Sequence, residues 1–401
     1  MKDLKLININ NKQSAETSTG HDTCCPPSGA QGIPLKLNIG SQKQLDIKSL
    51  EKSYDCVTGS VDTPVGPVPQ VSTMWSFSDR WGEIRSRTSA YRMKYSIPPG
   101  LYAVGSPDTD SDVFVSANYK LSFDKLRQSL EAMNGWILVL DTKSINVWCA
   151  AGKGAFGTEE LIERISITQL EKVVQHRRLI VPQLGAVGIN ATSVQKRTRF
   201  KVLFGPVEAR DIPAFINAGY RASRDMRTIT FSMVDRMILT PMEINPSMKK
   251  YPLFAFIVLL IFGIQPAGIL FRDAFAGGLP FLILGLMSIV AGAFLTPTLL
   301  PFVPFRSFAI KGWIVGMISV FLTVNYFELI TINSIYLRVV TYMFFPLMAS
   351  YIALQFTGST TYTGMSGVKK ELKIAIPVYL SATIVALLFT IVYKLDLWGV
   401  V

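Results

Sequence analysis

Cys149 is the residue of this 401-residue chain best placed to do chemistry. It stands in the run Asn146-Val147-Trp148-Cys149-Ala150-Ala151-Gly152-Lys153-Gly154, between a large aromatic and residues that, Lys153 apart, have little or no side chain. A thiolate is a soft, strongly donating ligand. Beside it the surface would have almost no relief, so a flat macrocycle could lie close against it.

Other fates compete for the same residue. A lone cysteine is most often packed into a core. As a nucleophile it would want a base, and the two histidines are His21, near the start, and His176, in a helical pattern. As a redox thiol it would want a resolving cysteine, and none lies near in sequence. Gly152-Lys153-Gly154-Ala155-Phe156-Gly157 also matches the G-x-G-x-x-G dinucleotide fingerprint, with Glu171 near the spacing of a ribose-binding acid. Against that reading, Glu171 falls inside a helical pattern and not at the end of a second strand. His21 with Cys24 and Cys25 could grip a soft metal, although adjacent cysteines close awkwardly around one ion. The four cysteines, Cys24, Cys25, Cys56 and Cys149, form neither a disulfide framework nor the C-x-x-C-x-x-C run of an iron–sulfur cluster.

The elements that must position Cys149 read as alternating strands and helices. Residues 1–74, which mix Ser, Thr, Gly, Pro, Asn and Lys without periodicity, are expected to be a flexible tail, closed by Pro64-Val65-Gly66-Pro67-Val68-Pro69 as a stiff, extended linker. Residues 75–248 form the expected soluble domain. Strands are expected at Asp112–Ala117, Trp136–Leu140, Leu179–Val181, Lys201–Phe204, Thr228–Val234 and Met237–Thr240, and helices at Ser122–Met133 and Asp211–Ala218. Such alternation implies a mainly parallel α/β sheet, whose ligands collect at the carboxyl ends of its strands. The Cys149 run, Pro182-Gln183-Leu184-Gly185 and Gly205-Pro206-Val207 each follow a strand pattern and could share that rim.

Residues 249–401 form the expected membrane domain. Five apolar stretches, near 253–271, 277–298, 308–326, 334–356 and 374–393, approach the ~20 residues needed to cross about 30 Å of hydrocarbon. None has a charge at its centre, which argues against an ion pump. The net charge is +12; the last 151 residues hold eight Lys/Arg and four Asp/Glu, a balance of +4, leaving +8 for the first 250. That excess reads as solvated surface and attraction to anionic lipid, and no motif pairs it with nucleic acid. Lys249, Lys250, Arg306, Lys311, Lys369, Lys370 and Lys373 cluster on one side if the helices alternate, so the N-terminal domain is expected in the cytoplasm and the C-terminus outside. The start, Met1-Lys2-Asp3-Leu4, lacks the long apolar core of a secretory signal, in keeping with a cytoplasmic soluble part. The Thr357–Thr363 loop is the candidate for any role of the helices beyond anchoring.

The run Asn146–Gly157 with Thr158-Glu159-Glu160-Leu161 resembles the cap-helix motif of mercury-methylating corrinoid proteins. That family shares its soluble domain with the large subunit of the acetyl-CoA-pathway corrinoid iron–sulfur protein. The likeness extends through Pro99–Gly105, Ala117–Asp124, Pro182–Ala186, Gly205–Val207, Met226-Arg227 and Pro241–Glu243, over roughly residues 75–245. Two departures from the iron–sulfur subunit, the missing cluster cysteines and the added membrane helices, point to the mercury branch. The resemblance implies a Rossmann-like α/β corrinoid-binding domain followed by an all-α five-helix transmembrane domain. It implies that Cys149 ligates the cobalt of a cobalamin-type corrinoid from below, replacing the corrinoid's own base; the D-x-H-x-x-G pattern of histidine-ligated relatives is absent. Ala150, Ala151 and Gly152 would let the helix approach the ring, and Val147 and Trp148 would pack with it. Asn146 and Lys153 would bond ring amides or secure the backbone. Gln183, Gly185, Gly205 and Pro206 would complete the binding rim.

The implied activity is a corrinoid-dependent methyltransferase passing a carbanion-like methyl group from Cys149-ligated cobalt to Hg(II), forming methylmercury. The methyl donor would be of the methyltetrahydrofolate type. With no cluster in this chain, a ferredoxin-like protein with a 4Fe–4S cluster would supply electrons and deliver mercury. The competing functions are a membrane-tethered methyl carrier for another acceptor, a dinucleotide-dependent membrane oxidoreductase, and a transporter with a regulatory domain.

Overall fold

Short runs of β-branched and aromatic residues bounded by turn formers build the centre of the molecule. The computed structural model describes residues 46–326, 332–359 and 365–400. Strands β1 (Val57–Thr63), β2 (Gly66–Val71), β3 (Gly100–Val104), β4 (Val113–Ala117), β5 (Gly135–Leu140), β6 (Arg178–Val181) and β7 (Lys201–Phe204) form one sheet in the order β1-β2-β3-β5-β4-β6-β7. Every residue of β3, β4 and β5 is buried, as expected where helices cover both faces. Alternate side chains feed two cores. Leu101, Val115, Leu138 and Val181 point to one, Tyr102, Phe114, Ile137 and Ile180 to the other.

The first core is closed by helices α4 (Val147–Gly152), α5 (Thr158–Ile167), α6 (Leu170–Val173) and α7 (Ala191–Thr198). The second is closed by α1 (Ile47–Ser53), α3 (Lys120–Ser129) and α8 (Ile212–Asn217). Helix α2 (Phe77–Thr88) is tied to α3 by buried charges. Lys120 Nζ and Arg127 Nη2 each donate to Asp79 at 2.6 Å, and both cations also bind Asp124. Arg127 further donates to the carbonyls of Ser72 and Met74, fixing the chain that leaves β2.

Strands β5, β4, β6 and β7 run parallel, as the alternation predicts, but β3 pairs antiparallel with β5 and β1 with β2, so the sheet is mixed. Residues 105–112 explain the reversal. They are too few for the crossover of a dozen or more residues that a parallel return needs. The described part of the expected flexible tail is folded: α1 and β1 lie within it, and Leu50 and Val57 join the second core. The expected linker at 64–69 is the turn and second strand of a hairpin, with Val68 and Val71 buried. Strand donors alternate between edges, so Pro67 and Pro69 silence only the edge that meets β3 at Gln70 and Val71. The pairing of His21 with Cys24 and Cys25 falls outside the described residues.

The stretches expected as strands at 228–234 and 237–240 contain helix α9 (Met233–Leu239). A capping box decides this: Ser232 Oγ accepts the Asp235 N–H while the Asp235 carboxylate accepts the Ser232 N–H. Then follow α10 (Pro241–Gly263), the two-residue strands β8 (Ile264–Gln265) and β9 (Gly268–Ile269), and α11 (Phe271–Ile289), which a π-helical turn joins to α12 (Thr296–Thr298). The helical region ends with α13 (Phe308–Phe321), α14 (Ile335–Gln355) and α15 (Met365–Leu397). The apolar stretch expected at 253–271 therefore breaks in two, because the β8–β9 turn with Pro266 and Gly268 (φ +120°) ends α10. Among the described residues, five helices are long and apolar enough to cross a membrane, the first beginning at Met233.

Close backbone approach joins α13 to α14. A Cβ at Gly312 would stand 2.6 Å from Ala353 Cβ, and one at Gly316 2.7 Å from Ala349 Cβ. Small residues four apart let apolar helices pack this closely where no water drives them together.

Candidate functional site

The parallel block sends the ends of β4, β5, β6 and β7 to one rim. There a cleft of ≈380 Å³ opens, lined among others by Ser116, Tyr119, Asn146, Trp148, Leu184 and Pro206. The three segments expected to share the rim all contribute to it. Of the expected residues, Asn146, Val147, Trp148, Gly205 and Pro206 line the cleft.

The loop from β5 to α4 is locked by Asn118, just past β4. Its Oδ1 accepts hydrogen bonds from Thr142 N (3.1 Å), Thr142 Oγ1 (2.8 Å) and Ser144 N (3.0 Å), while its Nδ2 donates to Asp141 Oδ1 (3.2 Å). Lys143 and Ser144 are thereby held at positive φ, 57° and 60°. Asp141 N donates to Glu160 Oε1 at 2.8 Å, fastening the loop to α5. Neither Asn118 nor Thr142 was among the expected site residues. A polar residue directly after a strand, on the ligand rim, was the available signal for Asn118.

Helix α4 starts where this loop ends. Asn146 is its N-cap, with Oδ1 accepting the Cys149 N–H at 2.9 Å. Of its two expected roles, Asn146 is placed to secure the backbone. Six residues then divide between two faces. Val147, Ala150 and Ala151 are buried in the core, so the two alanines expected beneath a ring lie against the sheet side instead. The cause is local: Phe156, fully buried, donates its N–H to Ala150 O at 3.1 Å and draws the chain after α4 inward. Gly188 packs against Ala151, where an added Cβ would lie 3.2 Å from Ala151 Cα.

The outer face of α4 carries Trp148, which is 40% exposed, half-buried Cys149 and exposed Gly152, with Lys153 just beyond. A Cβ at Gly152 would meet nothing within 4 Å. The thiol-bearing residue is thus flanked by an aromatic and by open space.

At the neighbouring rim, Gln183 N donates to Pro206 O at 3.3 Å, and Gln183 Oε1 is buried with no hydrogen-bond partner. Gly185 does not face the cleft, since a Cβ there would strike the Phe156 ring at 2.5 Å. Its small size serves packing. Gly205 meets Ile180 on its far side, where an added Cβ would lie 3.2 Å from Cγ2.

Two competing chemistries lose their geometry. His176 Nδ1 accepts the Arg178 N–H, and Nε2 lies 2.9 Å from Ser111 O; both partners stand at the amino ends of β6 and β4. Cys149 follows the carboxyl end of β5, the length of a strand away, roughly 13–16 Å. A Cys149–His176 catalytic pair is not assembled. In the dinucleotide fingerprint, the first glycine turns the chain directly out of a strand. Here β5 ends at Leu140, Gly152 closes α4, and Gly154 (φ +81°) shapes the turn that buries Phe156. Glu171 lies on α6. Cys56 is fully buried, and burial pushes its thiol up, away from the reactive thiolate.

Residues 91–216 match the family described as CO dehydrogenase/acetyl-CoA synthase delta subunit. The chain is 30% identical over 131 residues to the acetyl-CoA decarbonylase/synthase complex subunit gamma of Archaeoglobus fulgidus, covering 32% of this chain and 27% of that one. The subunit gamma of Methanopyrus kandleri is 32% identical over 127 residues, covering 31% and 27%. The corrinoid/iron-sulfur protein large subunit of Moorella thermoacetica is 28% identical over 120 residues, covering 29% and 26%. The chain thus spans about a quarter of the length of these relatives. The family match contains β3 to β7 and α4, and ends before the helical region. The rim that carries Cys149 accordingly lies in a domain similar to the large subunit of the corrinoid iron–sulfur protein.

Proposed function

We propose that this protein is a membrane-bound corrinoid-dependent methyltransferase, with Cys149 as the lower ligand of cobalt and Hg(II) as the methyl acceptor. The carrying observation is the outer face of α4, where Cys149 stands between an exposed aromatic and the open space over Gly152, beside the rim cleft. The residues suit a corrin ring. Gly152 leaves its approach clear, Trp148 offers an apolar plate, and Gln183 Oε1 is a buried acceptor in want of a donor such as a ring amide. A bound corrinoid would supply the cobalt–methyl chemistry, and Cys149 would hold the metal with a strongly donating thiolate that favours transfer of the methyl group with its bonding electrons.

The chain's own part is positional. Asn118 fixes the loop, Asn146 fixes the first turn of α4, and together they set where Cys149 emerges. Hg(II), a soft electrophile, is the acceptor that such a carbanion-like methyl group suits. The mercury branch is favoured by the cysteine count, which provides no cluster set, and by five membrane-length helices. A ferredoxin-like 4Fe–4S protein then supplies electrons and mercury, and a methyltetrahydrofolate-type donor supplies methyl. The helices hold the domain on the cytoplasmic face of the membrane, with the C-terminus outside. The relatives that are complex subunits support a protein partner at the α/β domain.

The test is anaerobic turnover of the full chain, loaded with cobalamin, with Hg(II), a methylated folate and a ferredoxin partner. Methylmercury is the expected product. Methyl transfer to another thiol or metal acceptor, with none to Hg(II), would establish the methyl-carrier reading instead.

A further inference from the structure

Helices α13 and α15 both pack along α14 but meet each other at few points. Between them lies a groove of ≈900 Å³. Its floor is Leu347 and Ser350 of α14, and its walls are Ile310 and Trp313 on one side and Ile374 and Val378 on the other. All four wall residues are exposed, from 41% for Trp313 to 64% for Ile374. The floor's polar atoms are already used: Ser350 Oγ bonds both Ala309 O and the Tyr379 hydroxyl at 2.7 Å. The shaft of the groove is therefore apolar.

One end differs. Arg306 and Lys370 stand at the mouth, and among the described residues neither forms an ion pair. Lys369 and Lys373 lie within a turn of Lys370 on α15. The nearby carboxylate, Glu371, is engaged otherwise. It accepts from Ser307 Oγ and Ala309 N, both at 3.1 Å, and so straps α15 to the first turn of α13. The mouth thus carries net positive charge, two cations against the one carboxylate of Glu371, directly above an apolar shaft that opens sideways.

We propose that this groove binds an anionic phospholipid, with the phosphate between Arg306 and Lys370 and an acyl chain along Ile310, Trp313, Ile374 and Val378. The proposal rests on the reading of these helices as membrane-spanning and is independent of the reaction at Cys149. Charge complementarity selects the occupant. A zwitterionic headgroup returns a positive charge to a mouth that already has two, and a free anion leaves the shaft unfilled. Trp313 supports the same choice, because indole prefers the level of the headgroups. The polar end also borders the cluster in which Phe231 and Leu239 of the joining segment pack against Phe308, Phe356 and Ala375. A lipid bound there would brace the seat of the α/β domain.

The experiment uses the full chain in mild detergent after delipidation, with phosphatidylglycerol, phosphatidylcholine or inorganic phosphate added. Native mass spectrometry and the thermal midpoint are read together. Retention of phosphatidylglycerol with a raised midpoint is expected, without either effect from phosphatidylcholine or phosphate. The R306Q/K370Q double variant should lose at least fivefold in retention, whereas K249Q/K250Q, with the same loss of charge elsewhere, should retain it fully. Ile374→Trp, which narrows the shaft and keeps the charges, should also weaken retention. Equal binding of phosphatidylcholine, equal stabilisation by phosphate, or unchanged retention in R306Q/K370Q or Ile374→Trp at normal circular dichroism would each overturn the proposal.

Discussion

Asn146 Oδ1 accepts the backbone N–H of Cys149 at 2.9 Å, so the residue that opens α4 also fixes the position of the thiol-bearing residue. The bond satisfies one of the donors that every helix start leaves unpaired. In a helix of six residues there are few others to share the task.

Replacing Asn146 by Ala should therefore cost about 1 kcal/mol of stability, while Asn146→Ser, another capping residue, should cost less than half of that. Chemical denaturation of the full chain in detergent reads this difference. Corrinoid retention should follow the same order, Asn above Ser above Ala. Equal retention in all three would show that the cap does not position Cys149.

Asn118 is the deeper support. Asn118→Ala removes the acceptor for the Thr142 and Ser144 N–H groups and leaves Thr142, fully buried, without that bond. Each unsatisfied buried group costs about 1–3 kcal/mol, so a loss of roughly 2–4 kcal/mol is expected. Hydrogen exchange should localise the change to residues 141–152. Protection unchanged there would mean that the loop is held by Glu160 alone.

The buried charges at Asp79 give a pH test. Burial alone would push its carboxyl up, but hydrogen bonds from Lys120 and the Ser76 backbone, with the charges of Lys120 and Arg127, hold it down at about 2, from an ordinary 3.8. A depressed pKa contributes stability that is present above the unfolded value and is lost as pH falls through the folded one. Native chain should thus lose on the order of 2 kcal/mol between about pH 4 and pH 2 from this group. In Asp79→Asn that component of the acid transition should be missing, with lower stability at neutral pH. Identical acid transitions in the two proteins would exclude Asp79 as a contributor.

Much of the domain was legible from sequence because its strands are buried on both faces and read as short apolar runs. Lys201–Phe204 has the predicted bounds, and Gly135–Leu140 differs by one residue. The hairpin at 57–71 was hidden, since prolines on one strand edge look like a linker when pairing partners are unknown. The same blindness to partners made strands of 228–240, where Ser232 and Asp235 cap a helix. At the cleft, the shared rim of the run Asn146–Trp148 with the segments after β6 and β7 followed from strand direction. The direction in which Ala150, Ala151 and Gly185 point did not, because it depends on Phe156, whose burial is a property of the tertiary packing. Asn118 escaped for a related reason: its partners lie 23 to 26 residues away.

The central claim is that Cys149 binds cobalt, and reconstitution of the full chain with cobalamin tests it most directly. The native protein should take up the cofactor with a cobalt–thiolate visible spectrum, and Cys149→Ala, equally folded by circular dichroism, should not show that spectrum. A Cys149→Ala protein with the native spectrum would contradict the account, because the ligand would then have to come from elsewhere.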